Sequence, residues 1–394
     1  MSAQTTETRN PLDCRIATLT HYLPPYMARV LYHISREVRE MKILLSIDQE
    51  PNRDFGNTWD GLDVSVQNSW MIKRPWKHST GFVDELYVHV PYDTGRQLKA
   101  FDPDIVFSYE LGFRSLASSF YCRRHRKPLV LCVCVSEHSE QGRGRLRHWL
   151  RKRLLRSASA ITFNGPSCRR YLKRFDVPDE KLFHFPYCTS DSFRYEGAVE
   201  RASEIDHRFI CIGQLSERKG VLPLLDGISD YCRSRPHAKV GLDLVGNGPL
   251  HDKIANQERP SNFDLRLLGH MQYDQMCNAM EQAGVLVFPT MADEWGLVVN
   301  EGMQAGLPIL GSCYGQAATT LIEPGKNGWL YKPDQVNELH QRLDEILSLD
   351  HAALTAMRHT AQETVRDITP QSVASGAIEM FKAVLANRSQ HPHH

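Results

Sequence analysis

The sequence predicts an α/β protein built as two doubly wound domains, and three observations carry that prediction. At 394 residues the chain can fill two cores of ordinary domain size. Short apolar runs alternate, in two successive series, with stretches of helical apolar spacing, the pattern of parallel strands joined by crossover helices. Between the series, around Tyr187–Glu204, apolar periodicity is lost and the chain reads as a linker.

In chain order, the first series predicts strands at Arg15–Leu19, Ile43–Ile47, Val64–Val66, Ile105–Tyr109, Leu129–Val135 and Ala160–Phe163. The second predicts strands at Phe209–Gly213, Lys239–Val245, Leu265–Leu268, Val285–Phe288 and Ile309–Gly311, with Asn327-Gly328 as a hairpin-type turn. Helical spacing returns from Thr369 to Leu385. The expected division is a first domain over 1–195, a second over 196–367 and a final helix with tail over 368–394.

Composition, with 41% hydrophobic and 24% charged residues, is that of a globular protein. No apolar run approaches the ~20 residues of a membrane span, and MSAQTTETRNPLD lacks a signal-peptide core, so a cytoplasmic protein is expected. Ten cysteines without a C-x-x-C pair read as core thiols rather than disulfides or a zinc site. The run His391–His394 reads as a disordered tail. Net charge is +1 but uneven: residues 1–195 hold 30 Lys+Arg against 21 Asp+Glu, leaving 17 against 25 for the rest.

The most telling segment is Ala283–Ser312, AGVLVFPTMADEWGLVVNEGMQAGLPILGS. Its strand ends at Pro289, and a loop over Thr290–Gly296 leads into a helix stopped by Gly306 and Pro308. Such a strand–loop–helix unit offers an anion site: the amides of Trp295, Gly296 and Leu297 could face a diphosphate, while Asp293 and Glu301 could accept hydrogen bonds from sugar hydroxyls. Equally, the acids could merely favour the helix N-terminus. In FICIGQLSERKG (209–220) a strand running to Gly213 is followed by Arg218 and Lys219, which read either as diphosphate ligands or as a basic helix start facing water. Gly246 and Asn247 stand in a Gly-x-Gly turn, and Gly269 follows the next strand; alone, such turns only connect elements. His138 follows a buried central strand and is placed where α/β sheets bind ligands, although a structural histidine fits as well. Asn164 and Gly165 end the next strand and are further cleft candidates.

Residues Gly142–Arg156 carry seven Lys/Arg, with Leu146, Trp149, Leu150, Leu154 and Leu155 at near-helical spacing. This basic amphipathic helix, with Arg147 and Arg151, could lie on anionic lipid, grip a phosphate-bearing acceptor, or be a solvated cationic face. Nucleic acid is not expected as a partner. Asp102-Pro103-Asp104 spells D-x-D, but precedes a strand as a turn, and no metal is expected.

Taken together these segments resemble the family 4 retaining glycosyltransferases of the GT-B fold. Asp293 and Glu301 match that family's acid-x(7)-Glu pattern, with Asp for the usual Glu; a register on Glu294 misplaces the aromatic–Gly pair. Lys219 matches its G-R-L-x(3)-K-G element, with Gln214 in place of arginine. GQAATTLIEPGKNGWLYKP (315–333) resembles the stretch that follows. The resemblance implies two Rossmann-like domains facing a cleft, a final helix crossing back to the first domain, and a nucleotide-sugar donor with no further cofactor. It places the base near Gly246 and Gly269, ribose on Glu301, donor-sugar hydroxyls on Asp293, the diphosphate on Lys219 and Arg218, and the sugar beside His138. The loop Thr20–Tyr26 carries prolines where the family often has glycines, so His21 and Tyr22 become acceptor-side candidates. A glycan or lipid-linked acceptor and contact with an anionic membrane surface are implied. A non-catalytic binder of the same shape and a sugar-nucleotide epimerase remain as alternatives.

Overall fold

The computed structural model describes residues 11–49, 59–78, 81–142, 144–190 and 200–390. In the first half, strands β1 (Leu12–Thr20), β2 (Val38–Leu45) and β3 (Asp63–Val66) flank helix α1 (Pro25–Arg36). An antiparallel pair follows, β4 (Ser69–Lys77) and β5 (Val83–Pro91), then α2 (Thr94–Phe101), β6 (Ile105–Tyr109), α3 (Phe113–His125) and β7 (Leu129–Val133). Helix α4 (Arg145–Ser157), β8 (Ala160–Phe163), α5 (Pro166–Lys173) and β9 (Leu182–His184) complete this half. The second half runs β10 (Arg208–Ile212), α6 (Val221–Ser234), β11 (Val240–Val245), α7 (His251–Ala255), β12 (Phe263–Gly269), α8 (Tyr273–Glu281) and β13 (Val285–Phe288). It continues through α9 (Val298–Gln304), β14 (Ile309–Ser312), α10 (Gln316–Leu321), β15 (Gly328–Tyr331), α11 (Val336–Leu347), α12 (His351–Val365) and α13 (Pro370–Gln390).

Two parallel sheets result, ordered β3-β2-β1-β6-β7-β8-β9 and β12-β11-β10-β13-β14-β15. Their central strands are buried along their whole length, as strands covered on both faces by helices must be. In each sheet the order reverses once, at β1/β6 and at β10/β13, which opens a crevice at the carboxyl ends of those strands.

Helix α13 belongs to the core of the first half although it ends the chain. Val373, Ala377, Ile378 and Phe381 pack in one buried cluster with Leu31 and Ile34 of α1, and the Phe381 ring meets Phe107 of β6 edge-on at 5.5 Å. The linker is anchored from the other side. The buried guanidinium of Arg201 donates to the carbonyls of Met280, Ala283 and Ala305, capping the ends of α8 and α9.

Several expectations are corrected here. Asn327-Gly328 is not a hairpin turn: β15 pairs parallel to β14, and the fully buried Asn327 side chain donates to the Leu321 carbonyl and to Thr364 Oγ1 while accepting from the Glu323 amide. The hairpin β4–β5 was not expected, because Lys73, Arg74 and Pro75 break any alternation in SWMIKRPWK. Strands β9 and β15 were missed as well, being only 3 and 4 residues long. The tail His391–His394 lies outside the described residues.

Truncating Phe381 to alanine removes a fully buried ring that joins the last helix to the first sheet. We expect Phe381→Ala to cost about 3–5 kcal/mol, read as a lowered denaturant midpoint of the transition that melts the first half.

Candidate functional site

The crevice is built from the carboxyl ends of both sheets. After β10, the chain turns through Gly213–Ser216 into a 3-10 turn at Glu217–Lys219, which ends at Gly220 in the left-handed region. A Cβ at Gly220 would meet the Pro289 carbonyl at 2.0 Å, so glycine lets this turn lie directly on the end of β13. The Arg218 carbonyl accepts from the Met291 amide at 2.8 Å, locking the cationic turn to the acid loop.

That loop brings the expected charged groups together. Lys219 Nζ lies 2.5 Å from Asp293 Oδ2, and Arg218 Nη1 lies 3.8 Å from the same oxygen. Asp293 is held by a bridge to Gly315, its amide donating to the Tyr314 carbonyl. The Trp295 ring is buried, and its Nε1–H donates to Asn300 of α9. Gly296 has positive φ, and Glu301 sits in the first turn of α9, only 8% exposed. Burial pushes the Glu301 carboxyl up to about 7, and its charge contributes to raising the neighbouring Tyr273 hydroxyl. The Glu294 side chain keeps contact with solvent. Crowding by the crevice walls, and then the carboxylates of Glu140, Glu110 and Asp293, hold its pKa above the usual range; access to water moderates the burial part of that rise.

Gly213, Gly246 and Gly269 close the ends of β10, β11 and β12 side by side, linked by Gly213 N–H to the Val245 carbonyl and Gly246 N–H to the Gly269 carbonyl at 2.7 Å. A Cβ on Gly246 would reach the Gly213 carbonyl at 2.0 Å, which explains glycine there by packing alone. Asn247 is exposed beside them.

The first half supplies the opposite wall. His138, in the turn after β7, reaches across so that its Nε2 lies 2.9 Å from the Met291 carbonyl, and its ring stacks on Tyr314 at 4.4 Å. Asn164 donates to the Glu294 carbonyl, and Gly165 packs against Trp295, Gln316 and Thr320. Gln316 was not expected. Its buried amide donates toward the carbonyls of Val135 and Glu294 and toward Asn164 Oδ1, while its Oε1 accepts from the Cys168 amide at the start of α5. Nothing in GQAATT marks this glutamine, whose role arises only when the two halves meet. His78 of the β4–β5 connection, 5.1 Å from the His138 ring, was missed for the same reason.

Two expected groups need separate treatment. His21 and Tyr22 lie at the end of β1, His21 against His89 of the hairpin at 4.3 Å. Arg151 is not an outward-facing ligand: it is buried, ion-paired with the buried Glu140 and bonded to the Tyr171 hydroxyl. Arg147 also leans on Glu140, at 3.4 Å. Arg143, counted in the basic run, lies outside the described residues. Asp102 and Asp104 stand at the amino end of β6, bound to Lys127 and to the Arg15 amide, on the edge of the sheet away from the crevice. Among the described residues no group of three or more His, Cys, Asp or Glu is arranged to hold a metal ion.

This geometry agrees with the comparisons. Residues 206–349 match the family model for glycosyl transferases group 1, and residues 26–188 match that for a glycosyl transferase 4-like domain. More than half of the chain is thereby covered, and the chain belongs to the group 1 glycosyltransferases, of the family 4 type with the GT-B fold. An uncharacterized glycosyltransferase of Methanocaldococcus jannaschii is 28% identical over 37% of this chain and 40% of its own length. Glycogen synthase of Mycobacterium tuberculosis is 24% identical over 51% of this chain and 48% of its own. The chain thus matches less than half the length of these relatives. Among solved structures, Anabaena HepE in complex with UDP superposes with a TM-score of 0.70 at 16% identity, covering 94% of this chain and 100% of that one. Sucrose-phosphate synthase of Thermosynechococcus elongatus gives 0.69 at 17% identity, over 95% and 99%. These likenesses concern the fold.

The raised pKa of Glu301 makes a directional prediction. The folded protein holds this proton more tightly than the unfolded chain, so the contribution to stability is complete below about 4.5 and is lost as pH rises to about 7. Glu301→Gln should remove that loss, on the order of a few kcal/mol, so that denaturant midpoints of variant and wild type diverge between pH about 5 and about 8.

Proposed function

We propose that the chain is a retaining glycosyltransferase that moves a sugar from a nucleotide-diphosphate donor to an acceptor hydroxyl. The observation that carries this reading is the convergence of Lys219, Arg218 and Asp293 with His138 in one crevice between the two sheets. Lys219 and Arg218 hold the diphosphate, aided by the amides of Trp295, Gly296 and Leu297 ahead of α9. On donor binding, the phosphate replaces Asp293 as the partner of Lys219, and Asp293 turns to the donor sugar's hydroxyls. Glu301 accepts from ribose, with Gly246, Asn247 and Gly269 along the base, and His138 approaches the sugar from the other wall. The bond between anomeric carbon and phosphate oxygen breaks as the acceptor oxygen bonds to the same face, and the acceptor proton passes to the departing phosphate. No protein nucleophile or metal takes part in this scheme.

A UDP-sugar is favoured as donor, since HepE was solved with UDP and with UDP-glucose. GDP-mannose is the alternative, used by a 24% identical mannosyltransferase of Corynebacterium glutamicum. The product belongs to glycan, glycolipid or cell-surface polysaccharide synthesis. Lys219→Ala and Glu301→Ala should each lower turnover at least about tenfold, ~1.4 kcal/mol or more, measured as nucleotide release with a UDP-sugar. A wild-type rate in either variant removes these roles. Release of nucleotide in water alone separates a transferase from a binder, and conversion of donor without any acceptor identifies an epimerase.

A second reading concerns location. No helix among the described residues is long and apolar enough to cross a membrane. Helix α4 nevertheless exposes Leu146 (71%) and Trp149 (56%), and the adjacent α3 exposes Phe113 (49%) and Phe120 (76%). The helices touch through Ser119 and Ser157, and neither carries an acidic residue. Arg123, Arg124, Arg145, Arg153 and Arg156 ring these apolar groups, which suits peripheral contact with an anionic bilayer. Wild-type protein should sediment with anionic and not with neutral vesicles at low salt, and Leu146→Glu with Trp149→Glu should abolish it. Equal binding to both vesicle types rejects the contact.

A further inference from the structure

The hairpin β4–β5 covers a group of polar atoms for which the catalytic scheme has no use. Arg114, at the start of α3, is 5% exposed; its terminal nitrogens donate to Ser46 Oγ and Glu110, but among the described residues its Nε has no hydrogen-bond partner. His89 of β5 is 7% exposed, and neither of its ring nitrogens has a partner among the described residues. Gln67, 4% exposed, gives its amide N–H to Thr94, while among the described residues its Oε1 stays unpaired, as does Ser69 Oγ at the start of β4. Buried polar groups left unpaired cost about 1–3 kcal/mol each, so a ligand that supplied partners to these four neighbouring residues would be bound the more tightly for it.

These residues occupy the carboxyl edge of the first sheet. Ser46 follows β2 and its amide donates to the Thr20 carbonyl of β1; the Gln67 amide, just after β3, donates to the Leu45 carbonyl of β2; His21 packs on His89 at 4.3 Å. Burial, and then the charge of Arg114, lower the His89 pKa, which leaves a neutral imidazole with one donor and one acceptor. Arg114 is neutralised by Glu110. The unpaired set is therefore balanced between donors (Arg114 Nε–H, one His89 N–H, the Ser69 hydroxyl) and acceptors (Gln67 Oε1, the other His89 nitrogen, the Ser69 oxygen). A net-neutral, balanced set matches hydroxyl groups, each of which both gives and receives, better than a phosphate, which only receives.

We propose that Gln67, Ser69, His89 and Arg114 form a distal acceptor subsite that binds the hydroxyls of a saccharide unit, so that the acceptor is an oligosaccharide. This rests on the transferase reading. In the sheet order β3-β2-β1-β6-β7, the subsite beside β2 stands three strands from the β7 end that carries His138, roughly 14 Å away at ~4.8 Å per strand. The unit held there is accordingly not the unit that is glycosylated. Among the described residues the hairpin strands pair with each other in a separate two-stranded sheet, so the hairpin can lift to admit the ligand without breaking the register of the main sheet.

The test uses the full chain and a panel of methyl hexopyranosides with the corresponding di- and trisaccharides, followed by saturation-transfer NMR. Wild type should bind at least one oligosaccharide more tightly than its monosaccharide, and His89→Phe and Gln67→Leu should each weaken that binding about tenfold or more. UDP binding and donor hydrolysis in water should stay at wild-type values in both variants, and melting temperature should not fall, since each substitution replaces buried unpaired polar atoms with apolar ones. The proposal is overturned if wild type binds no member of the panel, if the variants bind as wild type does, or if melting temperature and hydrolysis fall together with binding. A wild type that binds oligosaccharide but neither binds UDP nor hydrolyses donor sinks the transferase reading instead.

Discussion

The two halves meet through the side chain of Gln316, and the geometry of the crevice follows from the need to satisfy that buried amide. Gln316 belongs to the second half, yet two of its partners, the Val135 carbonyl and the Cys168 amide, belong to the first, as does Asn164. A buried amide with its donors and acceptor all engaged fixes position and orientation together, because any rotation leaves a polar atom unpaired. The Glu294 carbonyl, which accepts from both Gln316 and Asn164, ties the acid loop into the same network. His138 adds a bond to Met291 in that loop. The charged residues are thus positioned by uncharged ones.

Part of the charge inside the crevice is paired before any substrate arrives. Lys219 and Arg218 share Asp293, whose carboxylate offsets their mutual repulsion. On the proposed reading, a diphosphate would replace Asp293 as the partner of both cations and leave it as an acceptor beside the donor hydroxyls. This exchange conserves the pairing of buried charge at each stage, which matters because an unpaired buried ion is far more costly than an imperfect pair. Glu301 differs in that burial raises its pKa, and in the proposed function hydroxyl donors from a ribose would favour its charged form.

The parallel sheets were legible in the sequence because fully buried strands are written as continuous apolar runs. Ile105–Tyr109, Ala160–Phe163 and Val285–Phe288 fall on the residues expected, and the other predicted strands shift by only a few positions. The pairing of Lys219 with Asp293 was legible in kind, since both occupy strand ends of one sheet, though their 74-residue separation carries no distance information. What sequence could not reveal depends on contacts between halves. Gln316 looks like any polar residue opening a helix. Arg151 sits in a basic amphipathic pattern that suggests an outward face, but Glu140 is buried and requires a cation, so the guanidinium turns inward. Hairpin β4–β5 escapes because its register is set by its own antiparallel pairing and not by an apolar alternation.

The uneven charge along the chain acquires a meaning from this arrangement. The excess of cations in residues 1–195 does not line the crevice, where Arg114 and Arg151 are each matched by a carboxylate. It collects instead on the outer surfaces of α3 and α4, beside exposed aromatic and leucine side chains. A chain that needed cations only for a diphosphate would place them near Lys219, in the half that is net acidic. In the proposed function two electrostatic tasks would be divided between the halves: Lys219 and Arg218 with Asp293 would recognise the donor, and the exposed arginines of α3 and α4 face outward, where their field reaches about a Debye length into solvent. An anionic surface met by that outer face would orient the molecule without entering the crevice, so location and chemistry can be altered by independent substitutions.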